Sequence, residues 1–321
     1  MLIDISTYDN EIKIFAGSSG LSFTQKICNY LNVRMGDGET IIFSDGNIFV
    51  RIKETTRNKD VFVVLPVALD PNNEFLELLF WIDAFKRASA GDITAVIPYF
   101  GYAKGDKKDE ARVSIRGRVC ADAIEAAGAD RVVAMDLHSP QVQGFFKVPV
   151  THLTAMPVLC EYIKSIGIDD DLTVVSPDAG FAKETRGFAQ RLKAKMAICD
   201  KTRYDHREKA SILDIIGHVE GKNCLIVDDF TISGSTLTET AALLKKRGAK
   251  KIYAAVTHLM LSQKGLDMLN DSDIEFLISS DTVDNSLCRN ASRIKIVSMA
   301  HLFAEAILRI HSGGSVSQLF E

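Results

Sequence analysis

An α/β fold with parallel sheets, built as two related halves, is predicted by three features of this sequence. Short apolar, β-rich runs alternate with segments of helical apolar spacing from one end to the other. The length, 321 residues, corresponds to about two domains. An eleven-residue pattern also recurs: GADRVVAMDLH from Gly128 and GAKKIYAAVTH from Gly248 both read G-A-x-x-[VI]-x-A-x-x-x-H, 120 residues apart. Each copy follows a helical segment, as a duplicated α/β unit would require.

The elements follow in order. Ile12–Phe15 reads as the opening strand and Phe23–Leu31 as the helix after it. FSDGNIFVRI, 43–52, reads as a hairpin turning at Asp45-Gly46. Phe43, at the end of its first arm, suits either the core or a stack on a base, and the core is the reading the sequence favours. Val61–Leu65 and Ile93–Ile97 are continuous apolar runs of buried-strand length, separated by a helix over Glu74–Arg87. A helix over Ile115–Ala127 leads to a strand at Val132–Met135. Further on, helices at Ala155–Ser165 and Ala182–Leu192 bracket a strand at Thr173–Val175, and Met196–Cys199 reads as a strand. Cys224–Val227 is a buried strand, Leu237–Arg247 a helix stopped by Gly248, and Ile252–Val256 and Glu275–Ile278 are strands. His301–His311 is the last helix. The domains are expected at 1–150 and 151–304, with 305–321 packing back on the first.

Composition excludes several classes. A hydrophobic content of 46% with 25% charged residues is that of a globular protein. The formal net charge of −4 provides no global basic field, so no nucleic-acid partner is expected. No apolar run approaches the roughly 18–20 residues that span a bilayer, so no membrane partner is expected either. The N-terminal segment carries acidic residues and no apolar signal core. The six cysteines are scattered, with no CxxC. They read as reduced, mostly buried thiols, which points to the cytoplasm.

The most informative stretch is CLIVDDFTISGST, 224–236. A buried strand is followed by Asp228 and Asp229, then by a loop of small and hydroxylated residues (Thr231, Ser233, Gly234, Ser235, Thr236), then by a helix. Free backbone N–H groups and the positive end of the helix dipole bind phosphate at such a junction. An adjacent acidic pair suits ribose hydroxyls or Mg²⁺. The loop is not a Walker loop, having no GxxxxGK[ST] and no lysine. The corresponding stretch one repeat earlier, KDEARVSIR at 108–116, lacks the small residues, so one such site per chain is expected.

In open parallel sheets, ligands gather outside the carboxyl ends of the strands. Three further segments lie there. MDLHSPQ, 135–141, carries His138, a residue type suited to acid–base or metal chemistry; a hydrogen-bonded turn histidine is the plainer reading. VVSPDAG, 174–180, offers Asp178 either as an Mg²⁺ ligand or as a helix cap. PYFGYAKGDKKDEAR, 98–112, mixes aromatics with Lys104, Lys107, Lys108 and Arg112 and is too long for a simple connection. A fourth stretch, CDKTRYDHREKA at 199–210, reads either as solvated surface, as most charge runs are, or as a mobile basic loop able to close over a polyphosphate and neutralise its charge.

In this order, the motifs resemble those of the ribose-phosphate pyrophosphokinase (PRPP synthetase) family. The resemblance runs from IKIFAGSS through FSDG, ITAVIPYFGYAKGDKKDEAR, GADRVVAMDLHSPQVQGFF, VVSPDAG and DDFTISGST to SVSQLF. It implies two phosphoribosyltransferase-like domains related by pseudo-symmetry. The implied reaction is ATP + ribose 5-phosphate → AMP + PRPP, with Mg²⁺, by attack of the sugar's C1 hydroxyl on the β-phosphorus. It implies a homo-oligomer, a dimer-based hexamer, with ATP near a subunit boundary. Matched motif by motif, His138 is the active-site histidine, and His138 and Asp178 help hold Mg²⁺–ATP. Lys201 and Arg203 are the basic pair of the catalytic loop. Asp228 and Asp229 take the ribose hydroxyls, and Ser233, Gly234, Ser235 and Thr236 cradle the 5-phosphate. Phe43, Asp45 and Asn47 fall on the ATP-contacting hairpin, usually a neighbouring subunit's, and Lys104, Asp106 and Lys107 on the long nucleotide loop.

The sequence departs from the family pattern at several of these positions. Ile232 replaces the second acid of DDxxDTxGT, Asn47 stands where Glu is usual, and Lys104-Gly105 replaces Arg-Gln, losing a planar guanidinium. These departures also fit an alternative, a non-catalytic regulatory or scaffold subunit associated with PRPP synthetase.

Overall fold

A computed structural model describes residues 12–168, 170–202 and 211–319. The chain divides into two compact units. Of the described residues, the first takes 12–154, 282–284 and 299–319, and the second those within 155–281 and 285–298.

In the first unit, β1 (Ile12–Ala16) leads into α1 (Leu21–Leu31), an antiparallel hairpin of β2 (Gly38–Ile42) and β3 (Ile48–Ile52), and then β4 (Asp60–Val64). Next come α2 (Pro71–Arg87), β5 (Ile93–Ile97), α3 (Arg116–Ala127), β6 (Arg131–Met135) and β7 (Val150–Leu153). The sheet is wholly parallel in the order β1-β4-β5-β6-β7. Every residue of β5 is buried, which is why its sequence is a continuous apolar run rather than an alternation. Leu78, Trp81, Ile82 and Phe85 recur at helical spacing on α2 and are all buried. Phe15 meets Phe85 at 4.8 Å between ring centroids, and Trp81 stacks on Phe85 at 5.4 Å, so the helix is keyed to the sheet by aromatic contacts.

The second unit starts with α4 (Met156–Ser165), β8 (Leu172–Ser176), α5 (Ala182–Arg191), β9 (Lys195–Thr202) and β10 (Ser211–Ile216). It continues with β11 (Asn223–Thr231), α6 (Ser235–Lys246), β12 (Lys251–Leu259), α7 (Gln263–Asn270), β13 (Ile274–Ser280) and β14 (Ile294–Val297). The strand order is β10-β9-β8-β11-β12-β13-β14; β10 runs antiparallel to β9 and the other pairings are parallel. The last helix, α8 (Ala300–Ser312), belongs to the first unit and packs on α1, with Phe303 edge-on to Phe23 at 5.2 Å.

The sequence repeat has a physical basis. Gly128 and Gly248 both stand just past a helix at positive φ, +115° and +84°. In each copy the glycine N–H bonds three residues back (Glu125 O, Lys245 O) and the alanine N–H five residues back (Ile124 O, Leu244 O). This is a Schellman stop, which needs a residue without a Cβ penalty at the left-handed position. Ala129 and Ala249 are then buried as the chain enters β6 and β12. G-A is thus the signature of one helix–strand joint used twice.

Three sequence expectations are corrected. Phe43 is half exposed rather than in the core, because it lies past Ile42, the last paired residue of β2, at the tip of the hairpin. The segment read as a basic loop after Cys199 is partly a hairpin: β9 runs on to Thr202 and pairs with β10, placing Lys201 opposite Ile212. Asp228 and Asp229 do not follow β11 but lie within it, because β12 continues as its partner through Thr231↔Leu259.

Candidate active site

The acidic pair in β11 sits where its surroundings change. β11 pairs with β8 as far as Ile226↔Val175, while β12 stays alongside to the end. From Val227 on, the edge toward β8 is therefore open, and the segment leaving β8 carries Asp178. Burial, then the adjacent Asp229, and to a lesser degree Asp178 push the Asp228 carboxyl well above the ordinary carboxylate range. The Asp229 N–H donates to Asp228 Oδ1 at 3.0 Å, and the Phe230 N–H to Asp229 Oδ1 at 2.9 Å. Carboxylates crowded in this way favour a cation or hydroxyl donors beside them.

The loop after β11 is rigidly seated. Gly234 is the N-cap of α6 at φ +76°, and no side chain caps that helix. Its first N–H groups have no intrahelical partners, and that of Ser235 donates to Ser233 Oγ at 3.3 Å. Ser233 Oγ lies 2.8 Å from Ser235 Oγ, and the Met260 and Ser262 N–H groups hold the Thr231 and Ile232 carbonyls at 2.9 and 3.3 Å. α7 backs the loop through Gly265: a Cβ there would stand 3.0 Å from Ser233 O. The side chain of Ile232 is exposed. Ser233, Gly234, Ser235 and Thr236 thus share one helix entrance.

Asp178 closes the turn before α5 rather than capping the helix itself, whose N-cap position, Phe181, has no side-chain cap bond. Asp178 Oδ1 accepts from the N–H groups of Gly180 at 2.9 Å and Phe181 at 3.2 Å, and its charge acts on Asp228. Asp178 offers a hard carboxylate oxygen of the kind Mg²⁺ takes when phosphate oxygens and water complete its shell. Among the described residues no group of three or more His, Cys, Asp or Glu stands together to hold a metal by protein ligands.

The first unit contributes the other predicted residues. His138 is exposed just beyond β6, on a segment that turns through a short 3₁₀ helix at Pro140–Phe145. Its counterpart in the repeat, His258, lies inside β12 and is fully buried, since β12 runs four residues further than β6 does. Lys104 ends a 3₁₀ turn, with Nζ 5.7 Å above the ring of Tyr99. Asp106 follows Gly105, and Lys107 makes a loose, exposed contact with Asp109 at 3.9 Å. At the hairpin tip Asp45 accepts from the backbone N–H of Asn47 at 3.0 Å and from its Nδ2 at 2.7 Å; these bonds hold its carboxyl below the usual range. Phe43 lies against Phe49, 5.9 Å between centroids, and Arg51 stands over Phe49. Lys201 is at the end of β9, and Arg203 lies outside the described residues. Sequence reasoning missed Gly265, whose part in seating the loop had no local signal, and His152, treated below.

Two parallel α/β units, one with an acidic strand end running into a hydroxyl-rich helix entrance, define a protein of phosphoribosyltransferase-like domains. Residues 12–128 match the N-terminal domain of ribose phosphate pyrophosphokinase, and residues 202–321 match the phosphoribosyl synthetase-associated domain. A relative from Caldanaerobacter subterraneus subsp. tengcongensis, named ribose-phosphate pyrophosphokinase, is 46% identical over 98% of this chain and 100% of its own. One of the same name from Clostridium tetani is 44% identical over 97% of each chain. The crystal structure of phosphoribosylpyrophosphate synthetase from Mycobacterium smegmatis is 34% identical, with a TM-score of 0.89 over 95% of this chain and 100% of that one. The chain belongs to the ribose-phosphate pyrophosphokinase family.

Proposed function

We propose that this protein transfers the pyrophosphoryl group of ATP to the C1 hydroxyl of ribose 5-phosphate, releasing AMP and PRPP. The observation that carries this reading is the run from Asp228 through β11 into the entrance of α6, in a chain that is similar over nearly its whole length to enzymes of this name. The C1 oxygen forms a bond to the β-phosphorus and loses its proton. The bond from the β-phosphorus to the α–β bridging oxygen breaks, and that oxygen leaves with AMP.

Each part of the site has a task in that displacement. The N–H groups at the start of α6, with the hydroxyls of Ser233, Ser235 and Thr236, donate hydrogen bonds to the 5-phosphate oxygens and fix one end of the sugar. Asp228 and Asp229 accept hydrogen bonds from its ribose hydroxyls, so the C1 hydroxyl is oriented from two directions. On the nucleotide side, His138, Lys104, Asp106 and Lys107 of the first unit bind ATP, and Lys201 and Arg203 neutralise charge on the phosphates as the bridge opens. Phe43, Asp45 and Asn47 reach the nucleotide of a neighbouring subunit in a homo-oligomer, a dimer-based hexamer. Mg²⁺, for which Asp178 offers a carboxylate oxygen, would supply charge neutralisation on the polyphosphate when bound. The six cysteines are free and buried, in keeping with a reducing, cytoplasmic setting, and no described helix is long and apolar enough to cross a membrane.

Catalysis is favoured over the scaffold reading because the relatives named as enzymes match end to end. The deciding measurement is AMP release from MgCl₂, ATP and ribose 5-phosphate by the purified protein. AMP formed in step with PRPP is expected. AMP no higher than in a control without sugar would refute the catalytic reading and leave the scaffold role.

A further inference from the structure

We propose that His152, on β7, is a positioning residue that clasps the 136–143 segment and thereby sets the placement of His138. The inference rests on the reading of His138 as a nucleotide-side residue and adds to it a group that no motif singled out.

The sheet ends abruptly at this point. β6 stops at Met135, and Asp136 takes up φ +36°, a left-handed conformation uncommon for a residue other than glycine. The Asp136 N–H still bonds to β7, at Leu153 O, 3.0 Å. The next N–H, that of Leu137, has left the ladder and donates to a side chain, His152 Nε2, at 2.9 Å. With Nε2 accepting, the other ring nitrogen, Nδ1, carries the ring proton; it packs against the side-chain amide of Gln143 at 3.3 Å, and Gln143 Nε2 donates to Pro140 O at 2.9 Å. One imidazole, opposite Ala134 in the β6–β7 register, therefore touches the segment both before and after His138.

This arrangement is specific to a neutral ring. Only a neutral imidazole has a nitrogen free to accept from Leu137. Burial lowers the His152 pKa, against the pull of the nearby Asp136 carboxylate. Leu137 is buried, so removing the acceptor leaves a backbone N–H unsatisfied next to His138.

The test is a double-mutant cycle on the full-length protein, with initial rates at varied ATP and varied ribose 5-phosphate. His152→Leu is expected to raise KM for ATP about tenfold, with KM for ribose 5-phosphate changed less than twofold. His152→Gln, whose Oε1 can stand where Nε2 stood, is expected to recover most of the loss. In the His138→Ala background, His152→Leu should add less than a further twofold, because its effect passes through a side chain already removed. Gln143→Leu, at a partly exposed position, tests the same clasp if His152→Leu does not fold. A wild-type KM for ATP in both His152→Leu and Gln143→Leu, beside an impaired His138→Ala, overturns this inference and leaves the active-site reading intact. Undiminished damage by His152→Leu in the His138→Ala background also overturns it. A silent His138→Ala overturns both.

Discussion

Adding one methyl group at Gly265 should weaken sugar-phosphate binding without reaching the nucleotide. A Cβ on that residue would lie 3.0 Å from Ser233 O, 3.1 Å from Ser233 C and 2.9 Å from Leu261 Cδ2. Leu261 is buried and cannot swing clear, and the other contact is backbone, so the loop at Ser233 has to move by a few tenths of an ångström. Overpacking of this kind costs about 1–3 kcal/mol. Melting should fall by about 2–4 °C for each kcal/mol lost. If the shift spoils one charge-assisted hydrogen bond to the phosphate, about 1.5–3 kcal/mol of binding is lost. That corresponds to a rise in KM for ribose 5-phosphate of roughly ten- to a hundredfold, at about 1.4 kcal/mol per decade. The assay is initial-rate AMP release by Gly265→Ala with each substrate varied in turn, and KM for ATP should stay within about twofold. A lowered melting point with an unchanged KM for ribose 5-phosphate would refute the assignment of this loop to the 5-phosphate. Equal changes in both KM values would show that α7 supports the enzyme generally.

Two other predictions concern the charges. Because the folded protein raises the pKa of Asp228, folding is favoured by its protonated form. That contribution is complete below the unfolded value of about 3.9 and is lost as pH rises through the folded value. Asp228→Asn should therefore melt above wild type at neutral pH, with the difference closing as pH falls toward 4, while use of ribose 5-phosphate drops; thermal melts across pH decide it, and a variant that melts lower at neutral pH would contradict the argument. Lys201→Ala should cut turnover by about a hundredfold or more with sugar binding changed less than threefold, as loss of a preorganised cation in the transition state predicts; near-normal turnover would remove the tip of β9 from the mechanism.

The buried parallel strands were the most legible elements, because burial on both faces leaves an unbroken apolar run; Ile93–Ile97 was read to the residue. The Asp45-Gly46 turn was legible because Gly46 takes φ +87° there. What escaped was short, peripheral or mixed. β14 has two exposed residues of four, and α7 has a glycine inside it, lowering its helical signal. β10 needed β9 as a partner before it could be recognised as a strand. In the site, the loop at 233–236 announced itself by composition, whereas the position of the acidic pair within β11 depended on the length of β12, which no local pattern reveals. The shared histidine of the repeat illustrates the same limit, since His138 and His258 have one motif and opposite exposure.

The return of α8 to the first unit bears on how the protein is made. Leu302, Phe303, Ala304, Ala306 and Ile307 of α8 are buried, and Phe303 covers Phe23 of α1. The intervening second unit is an insertion in the chain of the first. During synthesis the first unit stays unfinished, with the apolar face of α1 uncovered, until residues 300–312 have emerged from the ribosome, while the inserted unit can close earlier. A chain truncated near residue 298 would hold a folded guest within a host that lacks its closing helix.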